Sequence, residues 1–425
     1  MCTFLVRVLS LTGFMEEINY LIIGGGVAGT TAAETIRKVD PSGSITIVSD
    51  EPYRFYSRIL LSKPNFFLEK IPFDQIWLKT EAWYKDQNIH LIAGKKAVLL
   101  DGAGKTVMLD DGTKLKYQKL LLAVGGYARA WDVPGADKRG VFYLRTLDDA
   151  KAVIAAMKTA KRAVAIGGGF VSFEMCDMLR LAGLPVTLII REPHYWDPIL
   201  DELSGRMVEA ALEQGGVKIF RNAEVAEMRG GDNVEGVTLK DGTEIPCELI
   251  IAGLGVFCPL DFAKEAGVLT NRGILANEYL ETNVPDIWAA GDAAEFKDLI
   301  LGGNVQLGNW VNAQMQGRIA GANMTGKREP FRLVSFYTTQ GFGITIGFVG
   351  DIRPGADRTI IPRRSPETNS YARLIVKDGE LVGATLINRA AELGAISKLI
   401  AENVKVSGRE KDFANADIKL ETLIS

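Results

Sequence analysis

Cysteine and histidine are scarce in this sequence of 425 residues. It has four cysteines, which stand far apart without a Cys-x-x-Cys pair, and two histidines. Because the cysteines are scattered and do not have the spacing of metal ligands, the sequence predicts neither a disulfide framework nor a metal site. Scattered cysteines are typical of a reducing compartment, so we expect a cytoplasmic protein.

Long apolar runs and a strong net charge are lacking as well. No apolar run reaches the length of about 18 residues that a membrane-spanning helix needs. The formal net charge is −3, which gives no reason to expect a nucleic acid as partner. We therefore predict a protein that binds neither membranes nor nucleic acids.

The length of the chain predicts two or three domains, because single hydrophobic cores stop growing at about 300 residues. The beginning of the chain, MCTFLVRVLSLTGF, is apolar and loosely resembles a signal peptide. However, Arg7 interrupts the apolar region and no small-residue cleavage site follows. We predict that residues 1–14 are an upstream start or a disordered extension rather than a targeting segment.

A glycine-rich turn between a predicted strand and a predicted helix lies in INYLIIGGGVAGTTAAETIRK. Gly24, Gly26 and Gly29 complete a dinucleotide fingerprint, in which the glycines allow a tight turn, approach of the pyrophosphate and close helix packing. The helix N-terminus offers unpaired N–H groups to the phosphates. After the next strand, Asp50 or Glu51 stands where an acid can hold an adenosine ribose.

A second fingerprint lies in VAIGGGFVSFEMCDMLRLAGLPVTLII. Gly167 and Gly169 fit its first two positions, whereas Ser172 stands where a third Gly or Ala is usual. Gly24 and Gly167 are too far apart in the chain to belong to one Rossmann unit. Two modules imply two dinucleotides, and two dinucleotides suggest that a hydride passes from one to the other.

Three further stretches make a family resemblance specific. They are YSRILLSK (56–63), KLLLAVGG (119–126, with Val124 in place of a usual Thr) and DIWAAGDAAE (286–295). With the two fingerprints, they resemble the two-dinucleotide FAD/NAD(P)-dependent pyridine nucleotide-disulfide oxidoreductase superfamily. The stretch YSRILLSK is similar to the ferredoxin reductases, rubredoxin reductases and nitrite reductase large-subunit flavoproteins of its non-disulfide branch.

The resemblance implies an α/β fold with two Rossmann-like dinucleotide-binding domains, one inserted in the other, and a C-terminal α+β interface domain. The FAD-binding domain is expected to be discontinuous, at residues 15–126 and 256–328. The NAD(P)-binding domain is expected at residues 127–255, and the C-terminal interface domain at residues 329–425. An inserted domain explains why the second fingerprint begins so late in the chain.

The resemblance also implies catalytic roles for Lys63, Glu174 and Phe170. Lys63 is expected near the flavin N5 and O4 atoms, where a cation favours negative charge on the reduced ring. Glu174 is expected to pair with Lys63 and keep it charged, and Phe170 to cover the flavin until the nicotinamide displaces it. The alternatives are a solvated Lys63, an ordinary helix residue Glu174, and a Phe170 that packs the helix against the sheet.

Other residues are implied to bind the flavin cofactor. Asp292 matches the residue that binds the ribityl chain, and Arg58 a flavin-contacting arginine, with a surface charge as the alternative for Arg58. A helix N-terminus at Asn309 and Trp310 is expected to face the pyrimidine edge of the ring, with plain helix capping as the alternative. The remaining residues expected in the FAD site are Val27, Ala28, Ala123, Gly125 and Gly291.

The end of the second strand after Gly167 bears on the choice of coenzyme. NAD-selective sites place an acid there, whereas an arginine accommodates the 2′-phosphate of NADP. Ile190 and Arg191 occupy this position and resemble NADP-type disulfide reductases, while Glu192 follows immediately. The sequence therefore favours NADPH over NADH but leaves both open.

Missing residues indicate the subclass. Disulfide reductases of the superfamily need a redox cysteine pair after the first βαβ unit and a C-terminal His–Glu pair. Residues 50–70 contain no cysteine, and neither His90 nor His194 lies in the expected C-terminal domain. Without a thiol relay, the flavin should deliver electrons to an external acceptor: ferredoxin, rubredoxin or a partner subunit with metal centres.

We therefore predict an FAD-dependent NAD(P)H oxidoreductase that passes a hydride from the nicotinamide to FAD and then electrons to an acceptor. The alternatives are an NAD(P)H oxidase that uses oxygen and a non-catalytic nucleotide-sensing flavoprotein. Arg358, Arg363 and Arg364 offer a docking site for an acidic carrier, with a solvated loop as the alternative. The C-terminal domain leaves a homodimer open.

Overall fold

The computed structural model of the protein describes residues 17–424. The extension predicted at residues 1–14 lies outside this range. None of the helices in the described range is both long enough and apolar enough to cross a membrane. The described chain forms three large sheets and several small ones.

The first large sheet has seven strands and carries the first fingerprint. In spatial order its strands are Ile89–Ala93, Ile45–Ser49, Glu17–Ile23, Lys114–Leu122, Thr106–Leu109 and Ala97–Asp101, and Ile287–Ala289 also pairs with Lys114–Leu122. Five of these strands, which end at Ala93, Ser49, Ile23, Leu122 and Ala289, run parallel. Their carboxyl ends meet at one edge of the sheet, where ligands bind in open α/β folds.

Two helices that pack on this sheet approach each other closely. They are the first fingerprint helix (Val27–Val39) and the return helix (Trp310–Met324). A Cβ atom on Gly317 would lie 2.2 Å from the carbonyl oxygen of Ala28. Gly321, one turn further, approaches Ala32 in the same way. The missing side chains at Gly317 and Gly321 therefore let the two helices pack closely together.

The second large sheet carries the second fingerprint. Its five parallel strands follow in the order Val217–Phe220, Val186–Ile189, Ala163–Ile166, Leu249–Ala252 and Val141–Phe142. Three helices belong to this part of the chain: Leu147–Met157, the second fingerprint helix (Phe170–Leu181) and Glu202–Gln214. A small antiparallel sheet of Val225–Arg229, Gly236–Leu239 and Glu244–Pro246 follows.

The chain passes between the two large sheets through a two-stranded ribbon. Tyr127–Ala128 pairs with Val256–Phe257 in antiparallel fashion. The segment between these strands contains the whole second sheet. We propose on this ground that the boundaries of the inserted domain lie at residues 126–127 and 255–256.

The third large sheet belongs to the C-terminal part and is antiparallel. Its strands follow in the order Phe336–Gly341, Ile344–Gly350, Glu380–Ile387, Ser370–Lys377 and Arg358–Ser365. The helices Leu393–Ala401 and Glu410–Ala414 lie in the same part. The remaining short elements are the helices Pro64–Phe67, Glu81–Asp86 and Asp261–Glu265, the strands Ile274–Ala276, Ala294–Lys297 and Asn304–Gln306, and 3₁₀ turns at Arg58–Ser62, Phe73–Ile76, Gly291–Ala293, Pro366–Thr368, Ala390–Glu392 and Leu420–Leu423.

Two of the arginines considered for carrier docking are structural. Arg363 is 1% exposed, donates to Glu392 at 2.9 Å and also donates to the backbone carbonyl of Phe413. Arg358 is largely buried and donates to Asp351 at 2.6 Å. Both residues lie in the strand Arg358–Ser365, and their side chains are buried in contacts within the protein. The predictions of a docking surface and of a solvated loop are therefore wrong for these two residues.

The close helix approach makes a testable prediction. Replacing Gly317 by Ala should destabilise the protein by about 1–3 kcal/mol, because backbone atoms cannot yield to the new Cβ atom. The control is Gly394→Ala in another helix, where a Cβ atom would meet nothing within 4 Å. Thermal unfolding should show a lowered Tm for Gly317→Ala alone, and equal Tm values for both variants would contradict the packing.

Candidate functional site

A solvent-open cleft with about 1280 Å³ of empty space lies at the carboxyl edge of the first sheet. Its walls include most of the residues predicted for the FAD site: Gly24, Gly26, Val27, Ala28, Asp50, Glu51, Arg58, Ala123, Gly125, Gly291, Asp292, Asn309 and Trp310. Gly29 and Lys63 are not part of these walls. The cleft therefore gathers predicted residues from five separate stretches of the sequence.

The three fingerprint glycines differ in what surrounds them. Gly24 has a φ of +120°, and a Cβ atom there would lie 2.0 Å from the carbonyl oxygen of Ala123. On Gly29, a Cβ atom would lie 2.0 Å from the carbonyl oxygen of Gly24. On Gly26 it would meet nothing within 4 Å, and no side chain caps the helix that begins there. The cleft thus has a bare helix N-terminus, which fits a dinucleotide pyrophosphate.

Both acids after the second strand are held by hydrogen bonds. Asp50 accepts from the hydroxyl of Tyr127. Glu51 accepts from the hydroxyl of Tyr56 at 2.7 Å and from the guanidinium of Arg58. Burial raises the pKa of Tyr56, so this phenol remains a donor. The predicted flavin contact Arg58 therefore lies in the cleft and orients Glu51.

Asp292 forms an ion pair inside the cleft. Arg145 donates to its carboxylate at 3.0 Å and to the carbonyl of Gly126 at 2.7 Å. Arg145 directly precedes a capping box made by Thr146 and Asp149, which fixes its backbone. Arg145 could not be predicted from the sequence, because only the folded chain brings it beside Asp292.

The return helix begins at the cleft with a complete cap. Asn309 accepts from the backbone N–H of Asn312 at 2.8 Å and donates to the hydroxyl of Ser335 at 2.8 Å. Trp310 stacks on Phe55 with a ring separation of 5.7 Å. Asn309 thus caps the helix and lies in the cleft wall. Its predicted contact with the flavin ring stays a prediction.

Lys63 and Glu174 form the ion pair that the resemblance implies. Their side chains are 29% and 12% exposed, respectively. Glu174 also accepts from the hydroxyl of Ser62 and, at 2.7 Å, from the hydroxyl of Thr339. These contacts of Ser62 and Thr339 were not predicted from the sequence. The pair joins the turn before Lys63, the second fingerprint helix and the third sheet.

Phe170 lies in an aromatic cluster. Its ring centre is 4.5 Å from that of Trp196, 4.6 Å from that of Tyr337 and 5.6 Å from that of Phe348. It is not part of the cleft walls. The predicted role of Phe170 as a cover for the flavin stays a prediction.

The second fingerprint repeats the geometry of the first. Gly167 has a φ of +105°, and a Cβ atom there would lie 2.5 Å from the carbonyl oxygen of Gly253. A Cβ atom on Gly169 would meet nothing within 4 Å, so this helix N-terminus is bare as well. The second module therefore also fits a dinucleotide.

Ser172 is accommodated by a change in its neighbour. Its buried hydroxyl donates to the carbonyl of Ile166 at 2.9 Å. A Cβ atom on Gly253 would lie only 2.6 Å from this hydroxyl oxygen. Ala123 corresponds to Gly253 in the first module. Ala123 follows Leu122, which pairs with the residue before the first fingerprint, and Gly253 follows Ala252, which pairs with the residue before the second. A missing side chain at Gly253 thus makes room for Ser172.

The described cysteines are poorly suited to redox chemistry. Cys176 and Cys247 are buried, Cys258 is half-buried, and all three are free. Burial raises the pKa of each thiol, that of Cys247 to about 12. Thiolates are the reactive form of cysteine. None of these three residues is therefore a good candidate for a thiol relay, and no cluster of three or more metal-ligating side chains occurs within residues 17–424.

Sequence comparison finds matches along nearly the whole chain. The profile of pyridine nucleotide-disulphide oxidoreductases matches residues 18–317, and that of a reductase C-terminal domain matches residues 336–424. The ferredoxin–NAD(+) reductase component of the biphenyl dioxygenase system of Paraburkholderia xenovorans (strain LB400) is 29% identical, over 94% of this chain and 97% of that protein. The nitrite reductase (NAD(P)H) of Bacillus subtilis (strain 168) is 30% identical over 93% of this chain and 49% of that protein, so the chain spans about half of its length.

Solved structures confirm the predicted fold class. The ferredoxin reductase for the CYP199A2 system of Rhodopseudomonas palustris has a TM-score of 0.88 and 29% identity, covering 96% of this chain and 100% of that one. A covalent complex of putidaredoxin reductase with putidaredoxin has a TM-score of 0.89 and 26% identity, covering 96% and 98%. The predicted family resemblance is likewise confirmed.

The bare helix N-terminus at Gly26 makes a second prediction. Gly26→Val should abolish flavin binding, because its side chain would enter the open space where the pyrophosphate is expected. The absorbance of the purified protein at 450 nm measures the bound flavin. Gly231→Val is the matched control, since a Cβ atom at Gly231 also meets nothing within 4 Å but lies elsewhere. A Gly26→Val protein with full flavin content would refute this assignment of the cleft.

Proposed function

Because this chain belongs to the pyridine nucleotide-disulphide oxidoreductase family, we propose that it passes electrons from NAD(P)H through FAD to a small redox protein of the ferredoxin or rubredoxin class. Two relatives matched over 97% of their length are named for ferredoxin and rubredoxin. A partner subunit with metal centres is the other acceptor that the proposal includes. A cytoplasmic location and a homodimer belong to the same proposal.

Family membership confirms two sequence-based predictions. The chain is an FAD-dependent oxidoreductase, and its cofactors are FAD and NAD(P)H. When bound, FAD supplies the chemistry that takes up a hydride and releases electrons one at a time. The protein must therefore bind and orient the two dinucleotides and stabilise developing charge.

The cleft residues divide the binding of FAD among them. The backbone N–H groups that follow Gly26 hold the pyrophosphate, and Glu51, oriented by Arg58, holds the adenosine ribose. Asp292 holds the ribityl chain, and Arg145 fixes the carboxylate of Asp292. The residues present thus fit the pyrophosphate, the adenosine ribose and the ribityl chain of the cofactor.

Lys63 provides positive charge for the reduced flavin. Glu174 holds the Lys63 ammonium, and the hydroxyls of Ser62 and Thr339 hold Glu174 in turn. A preorganised charge is worth more than a mobile one, because it needs no rearrangement when negative charge develops. Lys63 is therefore proposed to act on the flavin, while Glu174 acts through Lys63.

One observation carries the proposal. Two bare helix N-termini, at Gly26 and Gly169, belong to modules that meet at the ion pair of Lys63 and Glu174. The three cysteines of residues 17–424 are free and buried or half-buried. Together these features support hydride transfer between two dinucleotides and release of electrons without a thiol relay.

This function is tested by reducing the protein anaerobically with each nucleotide and then adding one electron acceptor at a time, with oxygen as one of the acceptors. NADH or NADPH should bleach the flavin absorbance at 450 nm, and oxidised ferredoxin or rubredoxin should restore it faster than oxygen does. Faster reoxidation by oxygen would support an NAD(P)H oxidase instead. Absence of bleaching with both nucleotides would support a nucleotide-sensing flavoprotein.

The role of Lys63 makes a third prediction. Lys63→Ala should slow flavin reduction about 100-fold, the size expected for loss of a preorganised charge contact. Stopped-flow absorbance at 450 nm gives the rate. The matched control is Lys79→Ala, which removes another partly buried lysine, ion-paired to Glu34 at 3.0 Å. An unchanged rate in a Lys63→Ala protein with normal flavin content would exclude this role.

A further inference from the structure

The pairing of the strands aligns the two modules residue by residue. Val48 pairs with the residue before the first fingerprint glycine, and Ile189 pairs with the residue before the second. Three residues beyond these positions stand Glu51 and Glu192, respectively. Glu192 therefore occupies in the second module the place that Glu51, one of the two acids expected at the adenosine ribose, occupies in the first.

The carboxylate of Glu192 faces the second fingerprint. A Cβ atom on Gly168 would lie 3.6 Å from its Oε2 atom, so this oxygen lies against the glycine turn. Oε2 is buried and has no hydrogen-bond partner among residues 17–424. A buried acceptor without a donor is costly, and a ligand hydroxyl beside the turn would satisfy it.

Arg191 does not face the same place. Its side chain is 79% exposed, and its Nε atom donates to Oε1 of Glu192 at 2.9 Å. One carboxylate oxygen of Glu192 thus holds Arg191 at the surface, while the other remains directed at the fingerprint. The positive charge that an NADP site would need is engaged by the acid.

We propose that Glu192 accepts a hydrogen bond from the 2′-hydroxyl of the adenosine ribose and repels a 2′-phosphate, so that the chain selects NADH. An acid on the 2′-hydroxyl is the general device of NAD-selective sites. This inference rests on the proposed function, since it concerns the electron donor of that reaction. It departs from the preference for NADPH that Arg191 suggests from the sequence.

Binding of two nucleotide fragments to the FAD-loaded protein tests the inference without turnover. Isothermal titration calorimetry should show that ADP-ribose binds about 10- to 100-fold more tightly than 2′-phospho-ADP-ribose, the size of one charged hydrogen bond. Glu192→Ala and Glu192→Gln should remove most of this preference, chiefly by improving binding of the phosphorylated fragment. Glu224→Gln is the matched control, because Glu224 is an exposed acid that is paired to Lys240 instead.

The same variants should change the catalytic choice in parallel. With ferricyanide as acceptor, the ratio of kcat/KM for NADH to that for NADPH should fall in both Glu192 variants and remain unchanged in Glu224→Gln. Tighter binding of the phosphorylated fragment by the unmodified protein, lost in Arg191→Ala and unaffected in the Glu192 variants, would overturn the inference. If neither nucleotide reduces the flavin while the fragments still discriminate through Glu192, the proposed function fails and the assignment of Glu192 stands.

Discussion

The carboxylate of Glu174 is the interaction on which the arrangement of the site depends. It accepts hydrogen bonds from Ser62 and Lys63, which lie between two strands of the first sheet, and from Thr339 in the third sheet. Burying a carboxylate is unfavourable unless its oxygens are paired, and Glu174 is only 12% exposed. The second fingerprint helix therefore has one favourable position relative to the other two parts, and that position presents Lys63.

The two dinucleotide sites obey the same steric rule. Gly24 and Gly167 both have positive φ angles, and both approach the carbonyl oxygen of the residue that follows a neighbouring strand. The third fingerprint position is less restrictive: a residue larger than glycine fits at Ser172 because Gly253 lacks a side chain. The fingerprint is therefore better understood as a set of close backbone approaches than as a fixed string of letters.

The sequence predicted those features that depend on residues close together in the chain. The glycines, the strand and helix around each fingerprint, and the acids after the second strand of the first module all follow from local pattern. Arg145 and Thr339 could not be predicted, since they reach Asp292 and Glu174 only after distant segments have packed. Arg363 shows the same limit, because it was predicted to be exposed but its side chain is buried by distant segments.

The coenzyme choice also depends on geometry that the sequence does not contain. Adjacent residues Arg191 and Glu192 support opposite predictions when read as letters. The structure separates them, since Arg191 is turned to solvent and one oxygen of Glu192 is turned to the glycines. The directions of the Arg191 and Glu192 side chains, rather than the residue types alone, thus favour NADH.

We propose that the flavin alone stores electrons in this protein. An anaerobic reductive titration, followed by absorbance at 450 nm, tests it most directly because it counts the electrons taken up per flavin. A protein without a redox thiol pair should be fully reduced by one equivalent of a two-electron donor such as dithionite. Uptake of a second equivalent before reduction is complete would reveal a disulfide in the electron path and contradict the account.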